Sequence, residues 1–146
     1  MQLLAEDPIG VGRGDVNDPA DESAYRRALE AILEDRRNDV VVAVNRQDVV
    51  VGTSQLTLIP GLPRRGITRL LVEAVFVAKD ERSGGVGTAL MRWVTDVAAP
   101  ALGASLVQLT SDAARPDAHR FYERLGFVST HIGFKREVRE MVELGQ

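Results

Sequence analysis

One segment narrows the choice of folds more than any other: Val75-Phe76-Val77-Ala78-Lys79-Asp80-Glu81-Arg82-Ser83-Gly84-Gly85-Val86-Gly87-Thr88-Ala89-Leu90-Met91. A β-branched and aromatic run leads into a polar, glycine-bearing loop, and the loop turns directly into a helix-like repeat. The first amides of a helix have no intrahelical acceptor, and the helix dipole adds partial positive charge there. Glycines let the backbone approach a bulky anion closely. Strand, loop and helix together form a cradle suited to a pyrophosphate, with Arg82 as a cation at its rim. Such a cradle needs no net positive charge, and the chain has none: 18 basic residues stand against 21 acidic ones, a net charge of −3. That balance gives no general attraction to nucleic acid or an anionic membrane, so neither is expected as a partner.

A loop of this kind admits several readings. A Walker loop needs G-x-x-x-x-G-K-[ST], and no lysine occupies that place. A dinucleotide fingerprint needs G-x-G-x-x-G, whereas Gly85-Val86-Gly87 is followed at the third position by Leu90. The strand also lies mid-chain instead of opening a βαβ unit. A pattern R-x-x-G-x-G is filled by Arg82, Gly85 and Gly87. A tight strand-to-helix turn that binds nothing accounts for the same glycines.

The 146 residues read as a single domain without repeats or linkers. Residues 1–17, with Pro8, Gly10, Gly12 and Gly14, read as an irregular lead-in. Asp18-Pro19 starts a helix that Tyr25, Ala28, Leu29, Ile32 and Leu33 carry to about Arg37. Val40 to Val44 and Val49 to Ile59 form a hairpin around Asn45-Arg46-Gln47-Asp48. Pro60, Gly61 and Pro63 break the second strand, and Arg64, Arg65 and Arg69 cluster around that loop, a solvated basic patch or an anion contact. Thr68 to Ala78 is the next strand. Val86, Leu90, Trp93 or Val94, and Val97 mark a helix that Pro100 and Gly103 end. Ser105 to Thr110 is a strand, and Arg115 to Leu125 a helix with Pro116 in its first turn and Gly126 past its end. Phe127 to His131 and Phe134 to Val138 are expected as two closing strands. This order is neither pure alternation nor all hairpins, and it predicts an α+β (mixed α/β) fold, a mixed sheet flanked by helices.

Other classes fall away on composition. The chain has no cysteine, which excludes disulfides, thiolate-bound zinc and a cysteine nucleophile. Neither His119 nor His131 has metal-ligand spacing, so no metal site is expected. The longest apolar stretch is about ten residues and no basic, apolar leader opens the chain, so a cytoplasmic location is expected.

A second segment, Ala118-His119-Arg120-Phe121-Tyr122-Glu123-Arg124-Leu125-Gly126-Phe127, follows the glycine loop after one helix and one strand. With the Arg82-x-x-Gly85-x-Gly87 loop it resembles the GNAT superfamily of N-acetyltransferases, whose signature runs A-x-x-F/L-Y-x-x-x-G-F. The two motifs together are far more specific than either alone, and the resemblance covers roughly Asp18 to Val138. Arg115-Pro116-Asp117-Ala118-His119-Arg120-Phe121-Tyr122, followed by His131-Ile132-Gly133-Phe134-Lys135, is similar to a branch of small bacterial acetyltransferases that includes aminoalkylphosphonate N-acetyltransferases.

The resemblance implies a mostly antiparallel sheet whose central strands splay into a V that receives acetyl-coenzyme A. It implies direct transfer of acetyl to a primary amine of a small molecule or peptide. Backbone groups of Phe76 and Val77 should pair with pantetheine. Amides of Ser83, Gly84, Gly85, Val86, Gly87 and Thr88 should hold the pyrophosphate, with Arg82 at its edge. Tyr122 should donate a proton to the departing thiolate, since its reference pKa near 10 keeps it protonated. Glu73, in an otherwise apolar strand, is a candidate base whose burial would raise its pKa, or a structural partner of Arg69. His131 is the second candidate base, while His119 packs or faces solvent. Ser111 and Asp112 line the acceptor pocket or are simply loop polarity.

The chain departs from the family twice. Many members carry an asparagine seven residues before the tyrosine, where this sequence has Arg115, which would reach a cofactor phosphate. The family also opens with a strand and a helix, of which only Gln2 to Asp7 resembles the helix tail. The opening strand is therefore expected to be absent, leaving a sheet edge that a second copy could cover as a homodimer. The competing function is a non-catalytic acyl-coenzyme A binding or sensing domain of the same fold.

Overall fold

In the computed structural model, which describes residues 1–138, the valine-rich runs form a hairpin. β1 (Asn38–Val44) and β2 (Val50–Pro60) pair antiparallel from Asn38 opposite Thr57 to Val44 opposite Val50. The turn is made by Asn45, whose side-chain oxygen accepts from the amides of Gln47 at 2.9 Å and Val49 at 3.0 Å. β2 pairs antiparallel with β3 (Thr68–Val77), and β3 pairs parallel with β4 (Leu106–Leu109). The sheet order is β1-β2-β3-β4, the mixed and mostly antiparallel arrangement expected from the sequence.

Alternation along the strands sends one set of side chains into a single core. Leu56, Leu70 and Val72 from the sheet meet Met91, Val94, Ala98 and Ala99 from the helix that begins at Val86. That helix, α4 (Val86–Trp93), does not stop before Pro100. It passes through a wider π-turn at Val94–Ala98 and finishes at Ala99–Ala101. Pro100 has no N–H for the carbonyl four residues back, and the wider turn relieves that loss. Gly103, at φ 72°, ends the rod: Ala104 N–H donates to Ala99 at 2.9 Å and Gly103 N–H to Pro100 at 3.0 Å. This is the Schellman pattern that satisfies the last carbonyls. A second rod, α5 (Pro116–Arg124), packs Phe121 and Tyr122 against the same core.

The strand pair that positions the site is β3 with β4. They pair only from Arg69 opposite Leu106 to Val72 opposite Leu109. β3 continues to Val77, so among the described residues Glu73 to Val77 have no neighbouring strand on the β4 side and the two strands part there. A bulge sits at the parting. Gln55 faces Glu73 and Thr53 faces Phe76, so Ala74 and Val75 together oppose Ser54. Ala74 takes φ 49°, a left-handed conformation that bends β3 away from the straight ladder.

Two expectations are corrected. Residues 1–17 are not wholly irregular: α1 (Gln2–Ala5) and α2 (Pro8–Val11) are single helical turns. Asp7 caps α2 by accepting from the Gly10 amide at 2.8 Å, with Pro8 in the first turn. This is the same device that Asp18 and Pro19 use ahead of α3 (Glu22–Glu34). The closing strands at Phe127 to His131 and Phe134 to Val138 are not formed. Residues 128–138 are exposed and make no backbone hydrogen bond to another described residue, and an extended segment without such bonds is not a strand. No strand precedes β1 among the described residues.

The bulge yields a test. A left-handed non-glycine residue costs about 1 kcal/mol, and glycine loses about the same amount through greater freedom in the unfolded chain. Ala74→Gly should therefore leave thermal stability nearly unchanged. Ala74→Val, whose branched side chain tolerates φ 49° badly, should lower it by more than about 1 kcal/mol.

Candidate active site

β3 delivers the chain to the glycine loop through a short 3₁₀ turn at Lys79–Glu81. Ser83 and Gly85 both take left-handed conformations, φ 66° and 89°, which fold the loop back onto the start of α4. Among the described residues no side chain caps α4, so the amides at its start keep their donors free. Arg82 to Gly85 are exposed, and a Cβ built on Gly85 would meet nothing within 4 Å. This backbone is open on its outer side and rich in donors, which fits the pyrophosphate of a nucleotide cofactor.

Gly87 sits where three elements meet. A Cβ there would lie 3.4 Å from the Phe121 ring of α5 and 3.5 Å from a Val77 methyl of β3. Helix, strand and the tyrosine-bearing rod therefore converge within van der Waals distance. Arg82 is pinned rather than free: its Nε donates to the Val77 carbonyl at 3.1 Å and a terminal nitrogen to the Glu6 carbonyl at 3.2 Å. The Glu6 carboxylate accepts from the Lys79 amide at 2.6 Å, so the N-terminal segment clamps the loop from outside.

The A-x-x-F-Y-x-x-x-G-F signature has a structural explanation. Gly126, at φ 89°, ends α5 in a Schellman motif: Phe127 N–H donates to the Tyr122 carbonyl at 3.1 Å and Gly126 N–H to Glu123 at 3.0 Å. Phe127 then lays its ring edge-on to Tyr122, centroids 5.9 Å apart, and Phe121 flanks the other side at 5.1 Å. Tyr122 is held by its own helix cap. Burial raises its pKa above the ordinary tyrosine value, and the positive charge of Arg115 opposes this only in part. The Tyr25 hydroxyl donates to Asp15 at 2.8 Å, whereas the Tyr122 hydroxyl has no hydrogen-bond partner among the described residues.

The other sequence candidates are distributed as follows. Arg115 makes a two-pronged pair with Asp7, at 2.8 Å and 2.5 Å, and so is committed to the N-terminal segment. Burial works to raise the Asp7 pKa, but the hydrogen bond from Arg115, the Gly10 amide and the Arg115 charge together hold it below the usual carboxylate value. Glu73 is exposed rather than buried, and unpaired with Arg69, one residue past the last β3–β4 pair. Arg69 instead reaches Gln108 at 3.4 Å. His131 lies on the exposed C-terminal segment, bonded among the described residues to the adjacent Thr130 hydroxyl, and away from the glycine loop and Tyr122 cluster. His119 packs, its Nε2 2.8 Å from the Asp112 carbonyl oxygen. Asp112 accepts from the Ala114 amide at 2.9 Å and pairs with Arg13, which lowers its pKa. Arg64 and Arg65 form an exposed left-handed turn. Among the described residues no group of three His, Asp or Glu is placed to hold a metal, and no helix is long and apolar enough to cross a membrane. The contributions of Glu6 and Asp7 were missed. The Asp7-Pro8 cap was readable, but nothing local points to a partner 108 residues away.

The profile of the acetyltransferase (GNAT) family matches residues 5–127, and the chain belongs to that family. Over 65 residues it is 34% identical to the aminoalkylphosphonate N-acetyltransferase of Salmonella typhimurium, a stretch covering 44% of this chain and 42% of that protein. A transcriptional regulator from Bacillus halodurans C-125 is similar across 94% of this chain and 89% of its own, with 36% identity and a TM-score of 0.87. A putative acetyltransferase from Agrobacterium tumefaciens str. C58 shares 26% identity over 94% of this chain and 92% of its own, with a TM-score of 0.74.

The Asp7–Arg115 pair gives a signed prediction. A carboxylate with a depressed folded pKa adds stability above its unfolded pKa, and that stability is lost as pH falls through the folded value. In urea unfolding, Asp7→Asn should cost about 2 kcal/mol at neutral pH, because it leaves a partly buried guanidinium unpaired. The difference from the parent chain should shrink steadily below about pH 4.

Proposed function

We propose that the chain transfers an acetyl group directly from acetyl-coenzyme A to a primary amine of a small molecule or peptide. The observation that carries this reading is the junction at Gly87, where the glycine loop, the free end of β3 and the Tyr122 rod come together. Acetyl-coenzyme A supplies an activated acyl carbon and a thiol leaving group. The backbone amides of Ser83, Gly84, Gly85, Val86, Gly87 and Thr88 hold its pyrophosphate, and Arg82 lies at the edge. Phe76 and Val77, past the point where β4 has parted, offer a backbone edge to pantetheine as a sheet edge does to an added strand. An amide there stabilises charge developing on the thioester oxygen. The Tyr122 hydroxyl, protonated and without a hydrogen-bond partner among the described residues, donates its proton to the departing sulfur. Glu73, at the mouth of the splay, takes a proton from the acceptor amine, directly or through water. Arg115 positions the Tyr122 rod against Asp7 and sets the positive charge near the phenol. With no cysteine available, no acetylated thiol of the protein intervenes.

The acceptor is an amine that carries an anionic group. The exposed Arg64 and Arg65 turn supports this class, as does similarity to a protein named for aminoalkylphosphonates. A sensing domain that binds the cofactor without turnover is the competing reading, since one similar structure is named a transcriptional regulator.

Thermal unfolding and thiol release separate these readings. Acetyl-coenzyme A should raise the melting temperature and NADH should not. With an accepted amine, Tyr122→Phe should keep cofactor affinity and lose about 10²- to 10⁴-fold in kcat. Because burial raises the Tyr122 pKa, the alkaline loss of kcat should set in above about pH 10. Unchanged turnover in Tyr122→Phe would remove the phenol from the chemistry. Cofactor binding without thiol release across a broad amine panel would favour the sensor.

A further inference from the structure

Alternation along β3 turns Leu70 and Val72 into the core, so Arg69, Leu71 and Glu73 take the opposite face of the sheet. Beside them the pairing places Gln55 opposite Glu73 on β2, and Leu106 opposite Arg69 and Gln108 opposite Leu71 on β4. Arg69 is the only basic residue in the four strands. It has no carboxylate within ion-pairing distance among the described residues. Its Nε is buried and has no hydrogen-bond partner. One terminal nitrogen reaches the neutral Gln108 side-chain oxygen at 3.4 Å, beyond the usual range of about 2.7–3.2 Å. A guanidinium with a buried, unpaired N–H and one long contact is a donor set whose capacity the protein itself leaves unused.

The contact with Gln108 also fixes where the guanidinium sits. Gln108 lies opposite Leu71, so Arg69 leans along β3 toward the splay and ends level with Leu71, two residues short of Glu73. At strand spacing two residues span about 7 Å. The half-buried Leu71 floors that interval, and the last β3–β4 pair, Val72 with Leu109, lies within it. A cation with unused donors and a carboxylate thus share one face of the sheet, a short apolar step apart. We infer that Arg69 binds the oxyanion of the acceptor, and that the acceptor is a linear primary amine whose terminal carboxylate or phosphoryl group lies about two to four carbons from the nitrogen. The inference rests on the proposed acetyl transfer with Glu73 facing the amine. The nitrogen enters beside Glu73, the methylene chain lies over Leu71, and the oxyanion takes the terminal N–H groups of Arg69 in place of Gln108. A small rotation of the side chain brings its Nε–H into the same fork, the two-pronged geometry that lysine cannot offer. Arg64 and Arg65, on the exposed turn before β3, add general attraction for an anion but no fixed partner.

Calorimetric binding and thiol release test this with γ-aminobutyrate, aminopropylphosphonate and butylamine, the last lacking the anion. In the presence of coenzyme A the parent chain should bind both anionic amines more tightly than butylamine, and the tighter of the two tells carboxylate from phosphoryl recognition. Arg69→Gln should weaken the anionic amines by about 10- to 100-fold and bring them level with butylamine. Arg69→Lys, which keeps the charge without the fork, should fall between. With acetyl-coenzyme A the same loss should appear in kcat/KM, chiefly through KM, because the oxyanion is held alike in ground and transition states. Equal or undetectable binding of all three amines by the parent chain would overturn the inference, as would Arg69 variants that keep the preference. A preference lost instead in Arg64→Ala, Arg65→Ala would give the anion to that turn and overturn it too. Absence of thiol release with every amine would defeat the acetyl-transfer reading, while the calorimetric comparison still decides the role of Arg69. Should Arg69→Gln fail to fold, the comparison with Arg69→Lys decides.

Discussion

The parting of β3 from β4 is the constraint on which the rest depends. Two parallel strands held together along their length would leave no backbone free at the sheet's centre. Here the ladder runs from Arg69–Leu106 to Val72–Leu109 and then stops, while β3 goes on for five residues. The bulge at Ala74 falls within the freed stretch and turns β3 toward the glycine loop. The proposed site follows from that freed edge: Phe76 and Val77 as the proposed pairing groups, the loop that begins directly after them, and α4 with its uncapped start. In the proposed function the slot takes an extended ligand at one end and an anion at the other.

Around this slot the chain uses several separate anchors. The Schellman cap at Gly126 orients Tyr122 from below, and the Phe121 and Phe127 rings hold it from the sides. The N-terminal segment ties the two halves together. Glu6 holds Lys79 and Arg82 of the loop, Asp7 holds Arg115 at the head of the Tyr122 rod, and Arg13 pairs with Asp112 between β4 and that rod. A stretch that reads as a lead-in thus works as a strap across loop and helix. Of these contacts the Asp7–Arg115 pair is the least exposed to solvent, so it is the one on which removal of a partner weighs most.

How much of this was legible follows from how local each cause is. The hairpin, the glycine loop, α4 and α5 rest on patterns within a dozen residues, and they appear where the sequence put them. The signature around Tyr122 was readable as a motif, and the structure adds why it is spaced so: the tyrosine carbonyl must lie five residues before the amide that caps it. The Ala74 bulge was not readable, because alanine carries no left-handed preference and Leu70 to Val77 reads as one unbroken strand. The continuation past Pro100 depends on a π-turn that no residue type announces. Asp7 and Arg115 are joined only by the fold. The C-terminal segment is the instructive failure: the runs Phe127 to His131 and Phe134 to Val138 read as two closing strands, and neither forms.

The most direct measurement is a structure of the chain with coenzyme A bound. The pyrophosphate should lie on the amides from Ser83 to Thr88, pantetheine should run along Phe76 and Val77, and the sulfur should come within hydrogen-bonding reach of the Tyr122 hydroxyl. A pyrophosphate seated elsewhere, or a sulfur remote from Tyr122, would contradict the assignment of the β3–β4 splay as the transfer site.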